Sequence, residues 1–151
     1  MIRIIRSDPT HPDFVALVHK LDEYLAVLDG EEHEFYHKLN TIGNLKYVVM
    51  AYEDEVAVGC GAIKQFGADA MEVKRMYVEL SRRGMGIGVL LLTELERWTK
   101  ELGHRKCVLE TGRRQPEAIR LYEKCGYERI PNYGQYFGME NSVCFEKGWG
   151  D

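Results

Sequence analysis

Residues 72–99 have the sequence EVKRMYVELSRRGMGIGVLLLTELERWT, and this stretch decides the fold. Together with Met71, its first residues alternate in side-chain character as far as Val78, which is typical of a strand. The alternation predicts one face with Met71, Val73 and Tyr77 and an opposite face with Glu72 and Lys74. Met76 and Val78 interrupt the pattern without removing it.

A basic turn with three glycines, residues 82–88, follows this strand. Apolar residues then recur at helical spacing, at Ile87, Leu91, Leu95, Trp98 and Leu102. A strand, a glycine turn and a helix in this order can direct free backbone N–H groups and the positive end of a helix dipole at a phosphate. The stretch therefore predicts an anion-binding site at the start of the helix.

The chain of 151 residues predicts a single domain, residues 1–151, with a substantial apolar core. No apolar run approaches the roughly 20 residues that span a bilayer, and the N-terminus lacks the apolar core of a signal peptide. The four cysteines have no CxxC spacing. We therefore expect a cytoplasmic protein with reduced, buried thiols and no membrane association.

The net charge of −4 argues against a nucleic-acid-binding protein, because such proteins usually carry a basic excess. The charge is uneven, since residues 21–35 hold six acids and no Lys or Arg. A cationic ligand near this acidic stretch is one interpretation, and a solvated helix face is the other.

The remaining segments predict the element order β-α-α-β-β-β-α-β-α-β-β. An amphipathic helix should run from Pro12 to Asp29, a second short helix should cover residues 31–39, and an aromatic loop should cover residues 131–138. Glycines in the strand over residues 56–65 indicate a close backbone approach. This order is typical of an α/β fold with antiparallel hairpins first and a parallel crossover later.

The glycine turn matches neither of two common nucleotide-binding motifs. Gly84-Met85-Gly86-Ile87-Gly88 differs from GxGxxG, and no Lys-Ser/Thr follows the last glycine as a P-loop requires. The turn also comes after at least three predicted strands, too late for the opening turn of a Rossmann fold.

Residues 83–88, RGMGIG, instead resemble the acyl-CoA-binding signature of the GCN5-related N-acetyltransferase (GNAT) family, Arg/Gln-x-x-Gly-x-Gly/Ala. Residues 118–127, AIRLYEKCGY, resemble the second signature of that family, Ala-Ile-x-Leu-Tyr-x-x-x-Gly-Phe/Tyr. The resemblance covers nearly the whole chain and is weakest over residues 13–43. It implies a single α/β domain with a mixed central sheet, antiparallel N-terminal strands and helices on both faces, and it allows a homodimer.

The resemblance also implies acetyl-CoA as co-substrate. Strand residues would pair their backbone with pantetheine, the turn would hold the pyrophosphate through N–H groups and an arginine, and a Gln stands where the family often has Asn. The implied cofactor-binding residues are Met76, Tyr77, Val78, Arg83, Gly84, Met85, Gly86, Ile87, Gly88 and Gln115.

The implied reaction is direct attack of a primary amine on the thioester. An alkyl amine with a pKa of about 10.4 is almost fully protonated at pH 7, and its deprotonation costs about 4.6 kcal/mol. Glu72 is the expected base, with Glu110 or a water chain as rivals and an ion pair with Lys74 or Arg75 as the structural alternative. Tyr122 matches the family tyrosine that protonates the thiolate, and its alternative is a core aromatic.

The acceptor is expected to be an amine of a small molecule or peptide. The residues expected to line its pocket are Tyr24, Phe35, Tyr36, Glu110, Tyr133 and Tyr136. For each of the aromatic residues, core packing is an equal alternative. A cationic amine is favoured by the acidic stretch. The alternative function from another class is a sensor module that binds acyl-CoA without transferring the acyl group.

A zinc-hydrolase pattern also occurs. His33-Glu34-Phe35-Tyr36-His37 is a literal HExxH. A zinc hydrolase also needs a third ligand and a packed helix, and this segment is short, acidic and without a downstream partner. No metal is therefore expected.

Overall fold

The computed structural model describes residues 1–29 and 45–149. The short helix predicted over residues 31–39, the HExxH segment and the two acceptor candidates Phe35 and Tyr36 lie outside the described residues. The strands are β1 Ile2–Ser7, β2 Tyr47–Glu53, β3 Val56–Phe66, β4 Ala70–Val78, β5 Lys106–Gly112, β6 Glu128–Ile130 and β7 Ser142–Gly148. The helices are α1 Pro12–Asp29, α2 Ile87–Glu101 and α3 Pro116–Lys124, with 3-10 turns at Leu80–Arg82 and Gly134–Tyr136.

The strands form one mixed sheet in the order β1-β2-β3-β4-β5-β7-β6. The first four strands are antiparallel neighbours, β4 and β5 are parallel, and β7 is antiparallel to both β5 and β6. Helix α2 connects the parallel pair. The predicted order of antiparallel hairpins followed by a parallel crossover is confirmed.

The helices cover both faces of the sheet, as the period-two alternation of β2 shows. Val49 and Ala51 lie in the apolar cluster that includes α2 and α3. Val48 and Met50 point the other way, into the cluster with Phe14 and the rest of the apolar face of α1. Because alternate residues of a strand face opposite sides, a strand buried on both sides separates the two helical layers.

The helix ends follow the expected capping residues. Helix α1 begins at Pro12, as predicted, and it continues to Asp29, the last described residue of this part of the chain. Helix α2 stops just before Gly103, whose φ of +88° ends the helix in the left-handed conformation that glycine adopts readily. Helix α3 begins with Pro116, a position where the missing N–H costs no hydrogen bond.

Strand β4 contains a β-bulge. β3 and β4 are in register as far as Lys74 and again from Tyr77, and between these two positions Arg75 and Met76 stand opposite Gly61. Arg75 has a φ of +58°, a backbone conformation that residues other than glycine rarely adopt. The extra residue shifts every later β4 side chain to the opposite face of the sheet.

This bulge corrects one prediction. Met71 and Val73 pack in the α2 cluster, but Tyr77 packs in the α1 cluster. The prediction that these three residues share a face is wrong, because one extra residue reverses the alternation. The same change places Met76 and Val78 against the α2 cluster, and this is why they interrupt the pattern in the sequence.

The glycines of β3 allow the close approach that their positions predicted. A Cβ on Gly61 would lie 2.5 Å from Met76 Sδ and 3.0 Å from Leu95 Cδ1, and one on Gly59 would lie 3.1 Å from Leu91 Cδ1. Helix α2 can therefore pack directly on the backbone of β3. In the described part of the chain, no helix combines the length and apolar character that a membrane crossing requires.

Candidate active site

The candidate site lies where β4 and β5 separate. The two strands pair from Ala70 with Lys106 as far as Val73 with Leu109. Beyond that point β4 stays paired with β3 as far as Val78, and β5 stays paired with β7 as far as its end. After Val73 and Leu109, β4 and β5 are therefore no longer hydrogen-bonded to each other. Their facing backbone edges line an opening between the two parallel strands.

A cavity at this opening, called the central cavity below, is lined by β4, β5, α3, α1 and the aromatic loop. It brings together most of the predicted catalytic and acceptor residues that the structure describes. Its polar and aromatic lining consists of Glu72, Lys74, Arg75, Glu110, Thr111, Gln115, Tyr122 and Tyr136, and Met76 also contributes.

Glu72 is buried in this cavity with two polar neighbours. Its Oε2 accepts a hydrogen bond of 2.7 Å from the hydroxyl of Tyr133. Its Oε1 lies 3.7 Å from Lys74 Nζ. Arg75, the other expected ion-pair partner, instead contacts Asp22 Oδ1 at 2.5 Å. Glu72 thus has one close hydrogen bond and one distant cation, and it faces the same cavity as Glu110.

Lys74, expected from the sequence only as an ion-pair partner of Glu72, is a further functional candidate. Its side chain is 7% exposed and lines the central cavity. Burial lowers the pKa of its ammonium, and the Glu72 and Glu110 carboxylates offset only part of this effect. The period-two pattern contained the signal, because residues two apart on a strand share a face.

Tyr122 is buried on α3 and lines the central cavity. Its ring packs on Tyr127 and Phe145. Tyr122 is therefore also a core aromatic, the alternative role considered for it from the sequence. Its hydroxyl has no hydrogen-bond partner among the described residues. Burial, and to a lesser extent the Glu110 carboxylate, raise the pKa of Tyr122. The phenol therefore stays protonated and can act as a donor.

The glycine turn leaves an open cradle before α2. Gly84 and Gly86 have φ values of +82° and +81°, and a Cβ at either would meet no atom within 4 Å. Gly86 caps α2 without any side-chain hydrogen bond. Since the first N–H groups of a helix have no partner within it, those at the start of α2 remain available to an anion.

Gly88 has a different role from the other two glycines. A Cβ at this position would lie 3.0 Å from Leu121 Cδ2. Its small size therefore allows α2 to pack against α3, and this packing connects the glycine turn to the helix that carries Tyr122.

Arg83 spans the space beside the glycine turn. Its Nε donates a 3.0 Å hydrogen bond to the Val78 carbonyl, and its Nη1 lies 3.4 Å from both the Tyr24 hydroxyl and Glu117 Oε2. Tyr24, an expected acceptor residue, thus lies against Arg83 rather than in the central cavity. Arg82 points elsewhere, because its Nε contacts Glu53 Oε1 at 2.7 Å.

The aromatic loop closes one side of the central cavity. Tyr133 packs edge-on against Phe66 and Tyr136 while its hydroxyl reaches Glu72. Tyr136 is fully buried and lines the cavity. Both predicted acceptor residues of this loop therefore combine core packing with contact to the site.

Comparison with known proteins identifies the family. A model of the acetyltransferase (GNAT) family matches residues 14–127, well over half of the chain. The chain belongs to this family. An IAA acetyltransferase of Azospirillum brasilense is 34% identical and aligns over 97% of both chains. The uncharacterised N-acetyltransferase YjgM of Escherichia coli is 34% identical over 72% of this chain and 66% of its own.

Solved GNAT structures show the same fold. A protein of Klebsiella pneumoniae described as an acyl-CoA N-acyltransferase is 30% identical, with a TM-score of 0.82 over 98% of this chain and 97% of its own. The PaiA N-acetyltransferase of Thermoplasma acidophilum, solved with coenzyme A, is 21% identical, with a TM-score of 0.72 over 99% of both chains. At that identity the second likeness concerns the fold alone. The GNAT-type α/β domain expected from the two signatures is confirmed.

Proposed function

We propose that the protein is an N-acetyltransferase that moves the acetyl group of acetyl-CoA to a primary amine of a small molecule or peptide. The observation that carries this proposal is the convergence of Glu72 and Tyr122 on one cavity. They come from β4 and α3, 50 residues apart by their numbers, and meet where β4 and β5 separate. A base and an acid are thereby available on two sides of one reaction volume.

The residues beside this cavity fit acetyl-CoA. The edge of β4 from Met76 to Val78 has backbone groups unpaired with β5 and can take an extended pantetheine arm as an added strand. A pyrophosphate suits the open space at Gly84 and Gly86 and the start of α2, where no side chain caps the helix. Arg83 lies beside this turn and supplies a guanidinium, which binds phosphate oxygens well.

Acetyl-CoA supplies a thioester carbonyl that an amine can attack, and the protein must supply a proton acceptor and a proton donor. Glu72 takes the proton from the ammonium of the acceptor, directly or through water. The hydroxyl of Tyr133 holds the Glu72 carboxylate in place through its 2.7 Å hydrogen bond. Glu110 lines the same cavity and is the rival for this role.

Tyr122 acts at the departing sulfur atom. Its raised pKa keeps the phenol protonated, so the hydroxyl donates a hydrogen bond as negative charge develops on sulfur. Complete transfer to a thiolate, whose conjugate acid ordinarily has a pKa of about 8.5, is uphill. The proton is therefore best transferred in concert with the breaking of the C–S bond.

Three variants test these roles: Glu72→Gln, Glu110→Gln and Tyr122→Phe. Release of free CoA with a productive amine measures turnover, and calorimetry measures acetyl-CoA affinity. We expect Glu72→Gln to lower kcat by about 100-fold or more, because a positioned base contributes about that much. Tyr122→Phe should also lower kcat, with acetyl-CoA affinity retained in both variants. Glu110→Gln should have the smallest effect.

Unchanged turnover in both Glu72→Gln and Tyr122→Phe would contradict the catalytic assignment. A protein that binds acetyl-CoA but acetylates no amine in a broad panel would instead be the sensor module. A greater loss in Glu110→Gln than in Glu72→Gln would move the base to β5.

A further inference from the structure

The ammonium of Lys74 is buried, and no described residue lies within the usual distance of a charged hydrogen bond from it. The side chain is 7% exposed, and its nearest polar contacts are the Tyr136 hydroxyl at 3.4 Å and Glu72 Oε1 at 3.7 Å. Hydrogen bonds from a charged nitrogen to oxygen are usually about 2.7–2.9 Å long. An ammonium has three donors, and here none of them reaches that distance within the described residues.

The other charges around the cavity make this arrangement specific. Arg75 is neutralised by Asp22 from α1. Glu72 on β4 and Glu110 on β5 both act on the Lys74 ammonium electrostatically, and Tyr136 of the aromatic loop presents its ring 6.0 Å away. Among the described residues, the central cavity therefore combines an ammonium that has only long polar contacts with two carboxylates.

We propose that Lys74 binds a carboxylate of the acceptor and that the acceptor is an α-amino acid. This inference rests on the proposed acetyl transfer to a primary amine. A single carbon atom separates the ammonium from the carboxylate in an α-amino acid. That spacing fits Lys74 and Glu72, whose charged atoms are 3.7 Å apart. The carboxylate fills the donor positions of Lys74 while the ammonium faces Glu72, the proposed base.

This acceptor differs from the cationic amine that the acidic stretch favours. Asp22, which belongs to that stretch, is bound to Arg75 and so is not available to a ligand as an isolated charge. A polyamine in the central cavity would place its additional positive charge near Lys74. A zwitterion instead matches both signs of charge, and electrostatic complementarity of this kind selects among ligands.

The first test uses the unaltered protein and pairs of acceptors that differ only in the carboxylate. Each pair consists of an α-amino acid and the amine left by its decarboxylation, with the α-carboxamide as a third member in which an uncharged amide replaces the carboxylate. CoA release gives kcat/KM for each compound. We expect the amino acid to be favoured about 10-fold or more over both analogues, because hydrogen bonds to charged groups are worth at least that factor.

The second test replaces Lys74 by Met, which retains much of the side-chain volume without the charge. The exposed Lys46→Met serves as the matched control. Lys74→Met should reduce the preference for the amino acid over its decarboxylated analogue about 10-fold. The ratio is informative because any effect on Glu72 acts on both acceptors and cancels. Lys46→Met should leave the ratio unchanged, and thermal unfolding reports whether each variant is folded.

The outcomes separate the two proposals. If the unaltered protein uses the decarboxylated amine as well as the amino acid, the acceptor inference is wrong and the acetyl transfer stands. If it prefers amino acids but Lys74→Met keeps that preference, another group binds the carboxylate. If no amine of either kind is acetylated although acetyl-CoA binds, the proposed function itself fails.

Discussion

Substitution of Asp22 by Ala should destabilise the protein strongly, because it leaves the Arg75 guanidinium buried without its ion partner. The Arg75 side chain is 2% exposed, and its contact with Asp22 is 2.5 Å long. Its only other side-chain hydrogen bond to a described residue is a 3.5 Å bond from Nη2 to the Val18 carbonyl. Its Nε already has no hydrogen-bond partner in the part of the chain that the structure describes.

The expected magnitude follows from burial. Removal of one partner of a buried ion pair usually costs about 3–5 kcal/mol. The Asp22 side chain is 28% exposed and therefore partly hydrated, so we expect the lower end, about 3 kcal/mol. For a domain of this size each kcal/mol lowers Tm by about 2–4 °C, which gives a fall of about 6–12 °C.

Urea and thermal unfolding of four variants measure this effect and its cause. Asp22→Asn, which keeps an oxygen acceptor, should fall between the unaltered protein and Asp22→Ala. The double variant Asp22→Ala with Arg75→Met should be more stable than Asp22→Ala alone, because the unpaired charge is then gone. The adjacent, exposed Glu23→Ala is the matched control and should change the free energy of unfolding by less than about 0.5 kcal/mol.

Two results would refute this reasoning. One is an Asp22→Ala variant as stable as the Glu23→Ala control, since that would mean the guanidinium finds water or another partner at no cost. The other is a double variant less stable than Asp22→Ala, because the loss would then come from packing and not from the unpaired charge.

Three further predictions concern the cofactor turn and the cavity. Gly88→Val should lower the free energy of unfolding by about 1–3 kcal/mol through overlap with Leu121. Adding Leu121→Ala to the same chain should recover part of the lost stability. If unfolding experiments show that the two losses simply add, the proposed overlap is wrong. Gly86 has a φ of +81°, so Gly86→Ala should lower the free energy of unfolding by about 1–2 kcal/mol. The same variant should bind acetyl-CoA more weakly in calorimetry. Unchanged affinity would contradict pyrophosphate binding at the glycine turn. Burial lowers the pKa of Lys74, so its ammonium should lose its proton before the pH reaches the ordinary lysine pKa of about 10.4. The kinetic preference for carboxylate acceptors should therefore fall as the pH rises toward that value. A preference that is still present at that pH would contradict the role of Lys74.

Local features of the fold could be predicted from the sequence because local chemistry determines them. Pro12 and the apolar spacing after it predicted α1 with its observed start. Gly84 and Gly86 were expected to permit an open turn, and they have positive φ values with free space where a Cβ would lie. Tyr122 was placed on a helix after β5 by its local signature, and the structure brings that helix to the cavity.

Other features depend on contacts between distant parts of the chain. The bulge at Arg75 adds one residue to a strand, and only the pairing with β3 reveals which residue is the extra one. The hydrogen bond from Tyr133 to Glu72 joins positions 61 residues apart. Gly88 looks like the other glycines of the turn, yet its proximity to Leu121 becomes visible only when α2 and α3 are packed.

The bulge in β4 divides the strand into two halves that contribute to the site in different ways. Before it, the side chains of Glu72 and Lys74 face the central cavity. After it, the backbone edge of residues 76–78, which is not paired with β5, lies along the opening. The second half presents backbone groups, which side-chain exchange in the first half does not change. A new acceptor preference could therefore be engineered at position 74 while Glu72, the proposed base, and the proposed cofactor edge stay as they are.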